Sequence, residues 1–90
     1  MQTDQTKALI SLRKASTLLS RVLKMTEDQK YCVDIMQQNL AVIGLLRSAH
    51  QSLMESHLNT CFTHALKSSD QKLKQKMTQE ILRVSKLANK

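Results

Sequence analysis

Apolar residues recur along the first quarter of the chain in steps of four and three. Ala8, Leu12, Ala15, Leu19 and Val22 mark the seam of an amphipathic helix, and Leu9, Leu18 and Leu23 widen it. Lys7, Arg13, Lys14, Arg21 and Lys24 lie largely off that seam. Thr3 or Thr6 can cap the helix start. A break is predicted at Thr26-Glu27-Asp28-Gln29, where Thr and Gln have capping-box spacing and two acids suit the positive end of a new helix. The second helix is placed from about Glu27 to about Leu66. Its apolar positions include Cys32, Ile35, Met36, Leu40, Val42, Ile43, Leu45, Leu46, Ala49, Leu53, Leu58 and Phe62, which cover more than one face. A helix apolar over so wide an arc is packed on more than one side. One side takes the first helix; the other calls for a second subunit. Gly44 marks a close helix crossing or is merely tolerated. A second capping-box spacing, Ser68 to Gln71, starts a third helix with Leu73, Met77, Ile81, Val84 and Ala88 on one face.

Composition agrees with helices and nothing else. The chain has 90 residues, no Pro and one Gly, so strand-and-turn architecture has almost no punctuation. One small domain, residues 1–90, is expected, and a core this small is commonly completed by oligomerisation. The net charge of +7 favours polyanionic partners. It is unevenly placed: +4 over residues 1–26, −2 over 27–66 and +5 over 67–90. A plain solvated surface is the simpler explanation of those charges, but an acidic middle between basic ends makes it less sufficient. No apolar run has the length of a membrane span, and the N-terminus has no signal-peptide core. A cytoplasmic protein without a membrane partner is expected. In that compartment two cysteines point to metal binding or reactivity rather than to a disulfide.

The chemistry concentrates in Cys32, His57 and Cys61. His57 and Cys61 are four apart and share a helix face, a spacing at which imidazole and thiolate grip one soft or borderline metal ion. Cys32 would be a third ligand, but 25 residues of continuous helix put it about 37 Å from His57. The three residues cannot share an ion within one chain. In an antiparallel pair of second helices, Cys32 of one chain falls beside His57 and Cys61 of the other, and two-fold symmetry gives two equal sites. Taken singly, each cysteine is more readily a core residue and the histidine a hydrogen-bonded one. The trio at these spacings favours a site. His50 and His64 are read as surface histidines and Met54 as core. A Cys–His enzyme would need a pocket, an oxyanion site and an orienting group, for which a nearly loop-free helical chain has little room; no enzyme is expected.

Tyr31-Cys32-Val33-Asp34-Ile35, then Gln38 and Ala41-Val42, then Glu55-x-His57-Leu58-x-x-Cys61 resembles the copper-sensitive operon repressor family of bacterial metal- and stress-sensing repressors. The likeness runs without gaps from about Met25 to Cys61. It implies an all-α fold: a three-helix protomer, made of a helical hairpin and a short C-terminal helix. Two protomers form an antiparallel four-helix-bundle dimer, and two dimers a tetramer. It implies Cu(I), about one per protomer, held by Cys32 of one subunit and His57 and Cys61 of another. Tyr31 would support the ligand histidine; for a supporting glutamate in the third helix, Glu80 is one match and Met77 occupies a competing register. Double-stranded operator DNA would bind basic faces of the assembly, with Arg13, Lys14, Arg21, Lys24 and Arg47 available for phosphates.

Residues 1–31 contain no His, unlike the nickel and cobalt sensors, and His57 separates the chain from the persulfide sensors. Two thiolates and an imidazole suit Cu(I); Zn(II) and Ni(II) stand as alternatives. The resemblance departs in the first helix. Where the family carries an Arg-Ile-Glu-Gly-Gln-Val-Arg-Gly-like motif, this chain has Lys14-Ala15-Ser16-Thr17-Leu18-Leu19-Ser20-Arg21, and Ile43 replaces a basic residue. The expected function is a Cu(I)-responsive repressor that binds its operator as apo-protein. The alternatives are a metal-binding bundle serving in copper buffering or protein interaction, and a sulfur-species sensor linking Cys32 to Cys61 between subunits.

Overall fold

The computed structural model describes the backbone of residues 3–88 and the side chains of residues 5–60 and 63–87. Four α-helices follow one another: α1 (Thr3–Glu27), α2 (Cys32–His57), α3 (Thr63–Lys67) and α4 (Gln71–Ala88). A π-helical turn, Leu58–Phe62, joins α2 to α3 without a break. Helix therefore runs from Cys32 to Lys67, close to the length expected for the second helix. There is no strand among the described residues, and no helix among them is long and apolar enough to cross a membrane. The fold is all-α. The chain divides into two compact units, Met1–Glu55 and Ser56–Lys90.

In the first unit the break between α1 and α2 falls later than its capping-box spacing suggests. Thr26 does not cap a new helix; its hydroxyl donates back to the Val22 carbonyl at 2.8 Å, inside α1. The chain stops α1 with a Schellman motif instead. The Gln29 amide donates to the Thr26 carbonyl and the Lys30 amide to the Met25 carbonyl, at 3.1 and 3.0 Å. That motif requires a left-handed residue, and Gln29 occupies it with φ 53°. Lys24 and Asp28 add an exposed ion pair at 3.2 Å, a contact worth little at such exposure. α2 then starts from Tyr31, whose carbonyl accepts the Ile35 amide. Thr6 lies within α1 rather than at its cap, and the Thr3 side chain lies outside the described residues.

The seam between α1 and α2 is built from small residues. Ala8, Ser11, Ala15, Leu18, Val22 and Met25 are the buried or half-buried positions of α1, spaced three and four apart. On α2 the same spacing selects Ile35, Gln38, Val42, Leu45, Ala49 and Ser52. Ala15, Val22 and Val42 form the buried cluster, with Leu18, Ile35 and Leu45 against it. Leu12 and Leu19, expected in the seam, are exposed instead, because the alanines bring the seam to the 8–11–15–18 line. Together with Leu9 and Leu23 they form a second apolar stripe on α1. α2 has its own: Met36, Leu40, Ile43, Leu46 and Leu53 are all more than 40% exposed. Gly44 makes no close crossing in this unit, since a Cβ there would meet no atom within 4 Å.

In the second unit α3 packs on α4. α4 is capped by Asp70, not by Ser68: the Asp70 carboxylate accepts the Lys72 and Leu73 amides at 3.0 and 3.2 Å. Ser68 holds that cap in place by accepting the Asp70 amide at 3.1 Å. Leu73, Met77, Ile81 and Val84 are half-buried along one face of α4, as the spacing predicts; the Ala88 side chain lies outside the described residues.

Two substitutions test this reading of the first unit. Gln29→Gly should stabilise the protein by ~0.5–1 kcal/mol, because glycine takes the left-handed position without the Cβ clash. Gly44→Ala should stabilise it by about 1 kcal/mol, the usual gain for filling an open helical glycine. Urea unfolding measures both; a loss of stability at Gly44→Ala would mean that a partner sits against the glycine.

Candidate metal centre

Cys32 is the first residue of α2, and its thiol is free and exposed. Its place follows from the Schellman stop: Gln29 turns the chain, and Tyr31 supplies the first carbonyl of the new helix. The Tyr31 ring is 70% exposed, and Asp34 stands in the first turn, where a carboxylate suits the helix dipole. His57 is the last residue of the same unbroken helix and is half-buried. The thiol and the imidazole thus occupy opposite ends of one 26-residue rod.

Beyond His57 the pitch changes. Leu58–Phe62 forms a π turn in which the Thr63 amide reaches back five residues to the Leu58 carbonyl. Three polar side chains sit around it. The Thr60 hydroxyl donates to the Ser56 carbonyl at 2.6 Å, the Thr63 hydroxyl donates to the Leu58 carbonyl, and Ser56 itself is buried. Hydroxyls that bond back to the helix backbone bend or loosen the α ladder, and π turns accommodate such distortion. The Cys61 backbone lies in this turn; its side chain lies outside the described residues. The four-residue spacing of His57 and Cys61 was read on an α-helical pitch, whereas the chain spans it with a wider π turn. Ser56, Thr60 and Thr63 were not singled out from the sequence, although two threonines three apart beside a cysteine were visible there.

The remaining candidates are distributed as follows. Glu80 is half-buried in α4, and no hydrogen bond joins it to His57. Within one chain His50 and His64 are exposed and Met54 is half-buried. Among the described residues no three His, Cys, Asp or Glu side chains of one chain come together as a metal site. Arg13, Lys14, Arg21, Lys24 and Arg47 are all exposed. The four on α1 occupy the arc turned away from both its buried seam and its second apolar stripe.

The described chain is thus all-helical, with a thiol and an imidazole at the two ends of α2 and exposed basic residues on α1. The model of the metal-sensitive transcriptional repressor family matches residues 4–86, and the chain belongs to that family. The family is one of repressors, not an enzyme class. Similar proteins include the copper-sensing transcriptional repressor CsoR of Mycobacterium ulcerans, 37% identical over 65 residues, covering 71% of this chain and 56% of the relative. The copper-sensing transcriptional repressor RicR of Mycobacterium tuberculosis is 36% identical over 55 residues, covering 61% and 57%. CsoR of Bacillus subtilis is 32% identical over 59 residues, covering 66% and 58%. The aligned stretches thus span little more than half the length of these relatives. No solved structure matches the chain significantly.

The π turn gives a direct test. Thr63→Val keeps the shape of the side chain but removes the hydroxyl bonded to Leu58. It should cost ~0.5–1.5 kcal/mol and speed amide exchange across residues 58–63. The matching change in α4, Thr78→Val, removes a hydroxyl bond to the Lys74 carbonyl and should leave exchange at 58–63 untouched.

Proposed function

We propose that this protein is a Cu(I)-responsive transcriptional repressor that holds operator DNA without the ion and releases it when Cu(I) binds between two subunits. The observation that carries this reading is the placement of Cys32 and His57 at the two ends of one continuous helix. A metal shared by them demands two antiparallel copies. Cys32 of one copy would then act with His57 and Cys61 of the other, giving two sites per dimer and about one ion per protomer. The donor set of two thiolates and one imidazole fits Cu(I) better than Zn(II) or Ni(II), which favour more ligands or harder ones. The exposed thiol of Cys32 and the partly accessible imidazole of His57 leave both donors open to a partner. When bound, Cu(I) would supply a soft centre joining two chains. Tyr31, beside Cys32, and Glu80 would support the ligands from outside.

The exposed second stripes on α1 and α2 supply the surface for an antiparallel four-helix-bundle dimer, and a pair of dimers would make the tetramer. Arg13, Lys14, Arg21, Lys24 and Arg47 would contact phosphates of double-stranded DNA, which makes binding steeply salt-dependent. A repressor of this kind works in the cytoplasm. Linkage fixes the relation of the two ligands: if Cu(I) weakens DNA binding by some factor, DNA weakens Cu(I) binding by the same factor.

A second reading is favoured by one feature, the stretch Lys14–Arg21, which departs from the family motif in the DNA-facing helix. On that reading the bundle buffers copper or binds another protein and has left DNA behind. Titration of a labelled operator, with and without Cu(I) under anaerobic conditions, separates the two. The repressor should bind in the metal-free state and lose at least ten-fold in affinity with Cu(I). Cys32→Ala should bind DNA equally with and without the ion. Equal affinity of the unmodified protein in both states rejects the repressor, and absence of any salt-sensitive DNA binding supports the buffering alternative.

A further inference from the structure

The exposed stripe on α2 carries more than leucines. At steps of three and four it reads Met36, Asn39, Ile43, Leu46, His50 and Leu53, all exposed and all within the first unit. Two of these six core-type positions are polar. The stripe is also its own mirror image. Reflected through the point between Gly44 and Leu45, Met36 falls on Leu53, Ile43 on Leu46 and Asn39 on His50. The same reflection takes Cys32 onto His57. Each pair joins the two kinds of seam position, the arrangement in which an antiparallel coiled coil stacks its layers.

We propose that Asn39 of one copy and His50 of the other form a hydrogen-bonded layer that fixes the register of an antiparallel α2–α2 contact, and through it brings Cys32 opposite His57. The proposal rests on the two-chain reading of the metal centre and adds the device that aligns it. Symmetry repeats the layer twice in the dimer. The pairing works for either neutral form of the imidazole: the Asn39 amide donates to a bare ring nitrogen, or its carbonyl oxygen accepts from a ring N–H. The argument for a second copy, rather than another partner, is this self-complementarity. Slipping the contact by one heptad in one direction sets Asn39 against Ile43; slipping it in the other sets His50 against Leu46. Either slip buries a polar group without a partner, the cost by which a single polar seam position selects a register. A purely leucine stripe would tolerate both.

The test uses metal-free full-length protein without DNA, so that it is independent of the operator titration. Cys32→Ser and Cys61→Ser remove the native thiols, and Gln37→Cys, on the outer face of α2, carries a spin label. Sedimentation equilibrium gives the dimer affinity, and pulsed electron resonance gives the distance between labels. Asn39→Leu and His50→Leu should each weaken the dimer by roughly ten-fold or more, since each leaves one buried polar group unpaired in both layers. The exchange variant, Asn39→His with His50→Asn, should recover the parent affinity and its single distance. The double variant, Asn39→Leu with His50→Leu, should dimerise but show distances spread by about 10 Å, one heptad of helix rise. Unchanged affinity in both single variants overturns the proposal. So does an exchange variant as weak as the singles, a single parent distance in the double leucine variant, or a metal-free chain that stays monomeric. None of these results bears on whether the operator is bound.

Discussion

The rigid rise of α2 is the constraint on which the rest depends. A helix advances about 1.5 Å per residue and cannot be shortened without breaking its hydrogen bonds. Cys32 and His57 begin and end the same helix, so their chemistry is separated by geometry that no side-chain motion can close. The Schellman stop at Gln29 and the start at Tyr31 define one end of this ruler. The π turn at Leu58–Phe62 defines the other, by changing the pitch immediately after the histidine. On the proposed reading, a metal ion shared by these two residues would have to be held between chains.

The same economy governs the packing. The α1–α2 seam spends alanines and a few valines, leaving nine large apolar residues of the first unit, from Leu9 to Leu53, exposed on second stripes. Among the described residues no large side chain is fully buried. A lone hairpin with so thin a core gains little from burial, and burying the second stripes is where further stabilisation is available. The seam of α1 and α2 brings two helices close; the stripes beside it are free to form a second layer. This is a division of labour between faces of each helix, and the heptad spacing of both faces makes it regular.

The sequence makes much of this legible. Helix order, the all-α class and the end of the second helix near Leu66 follow from apolar spacing and the lack of proline. The metal candidates follow from residue type and separation. What spacing did not reveal is set by competition among backbone bonds. Thr26 has the look of a cap but bonds back into α1, and Ser68 yields the cap of α4 to Asp70, whose carboxylate reaches two amides at once. Leu12 and Leu19 look like seam residues because they are larger than Ala8 and Ala15; close helix approach prefers the smaller pair. The π turn was invisible for a similar reason. It is a change in the pitch of the backbone hydrogen bonds, which hydrophobic periodicity does not register.

The division of α1 into arcs also bears on how a chain lacking the family's first-helix motif could still meet DNA. One arc is committed to α2 and one, through Leu9, Leu12, Leu19 and Leu23, is suited to a second copy. The remaining arc holds Arg13, Lys14, Arg21 and Lys24, all exposed. Lys24 is partly neutralised by Asp28, and no ion pair involves Arg13, Lys14 or Arg21 among the described residues. Exposed cations of this kind can hold phosphates without reading the sequence. On the proposed reading, the spacing of basic arcs across the assembly and the shape of the duplex that fits it would contribute to any preference for one DNA sequence. A metal bound between chains, as proposed, would be able to change that spacing without touching the basic residues of α1. On the same reading, the departure in Lys14–Arg21 would bear on which duplex is preferred, while the coupling between metal and DNA would rest on the geometry of α2.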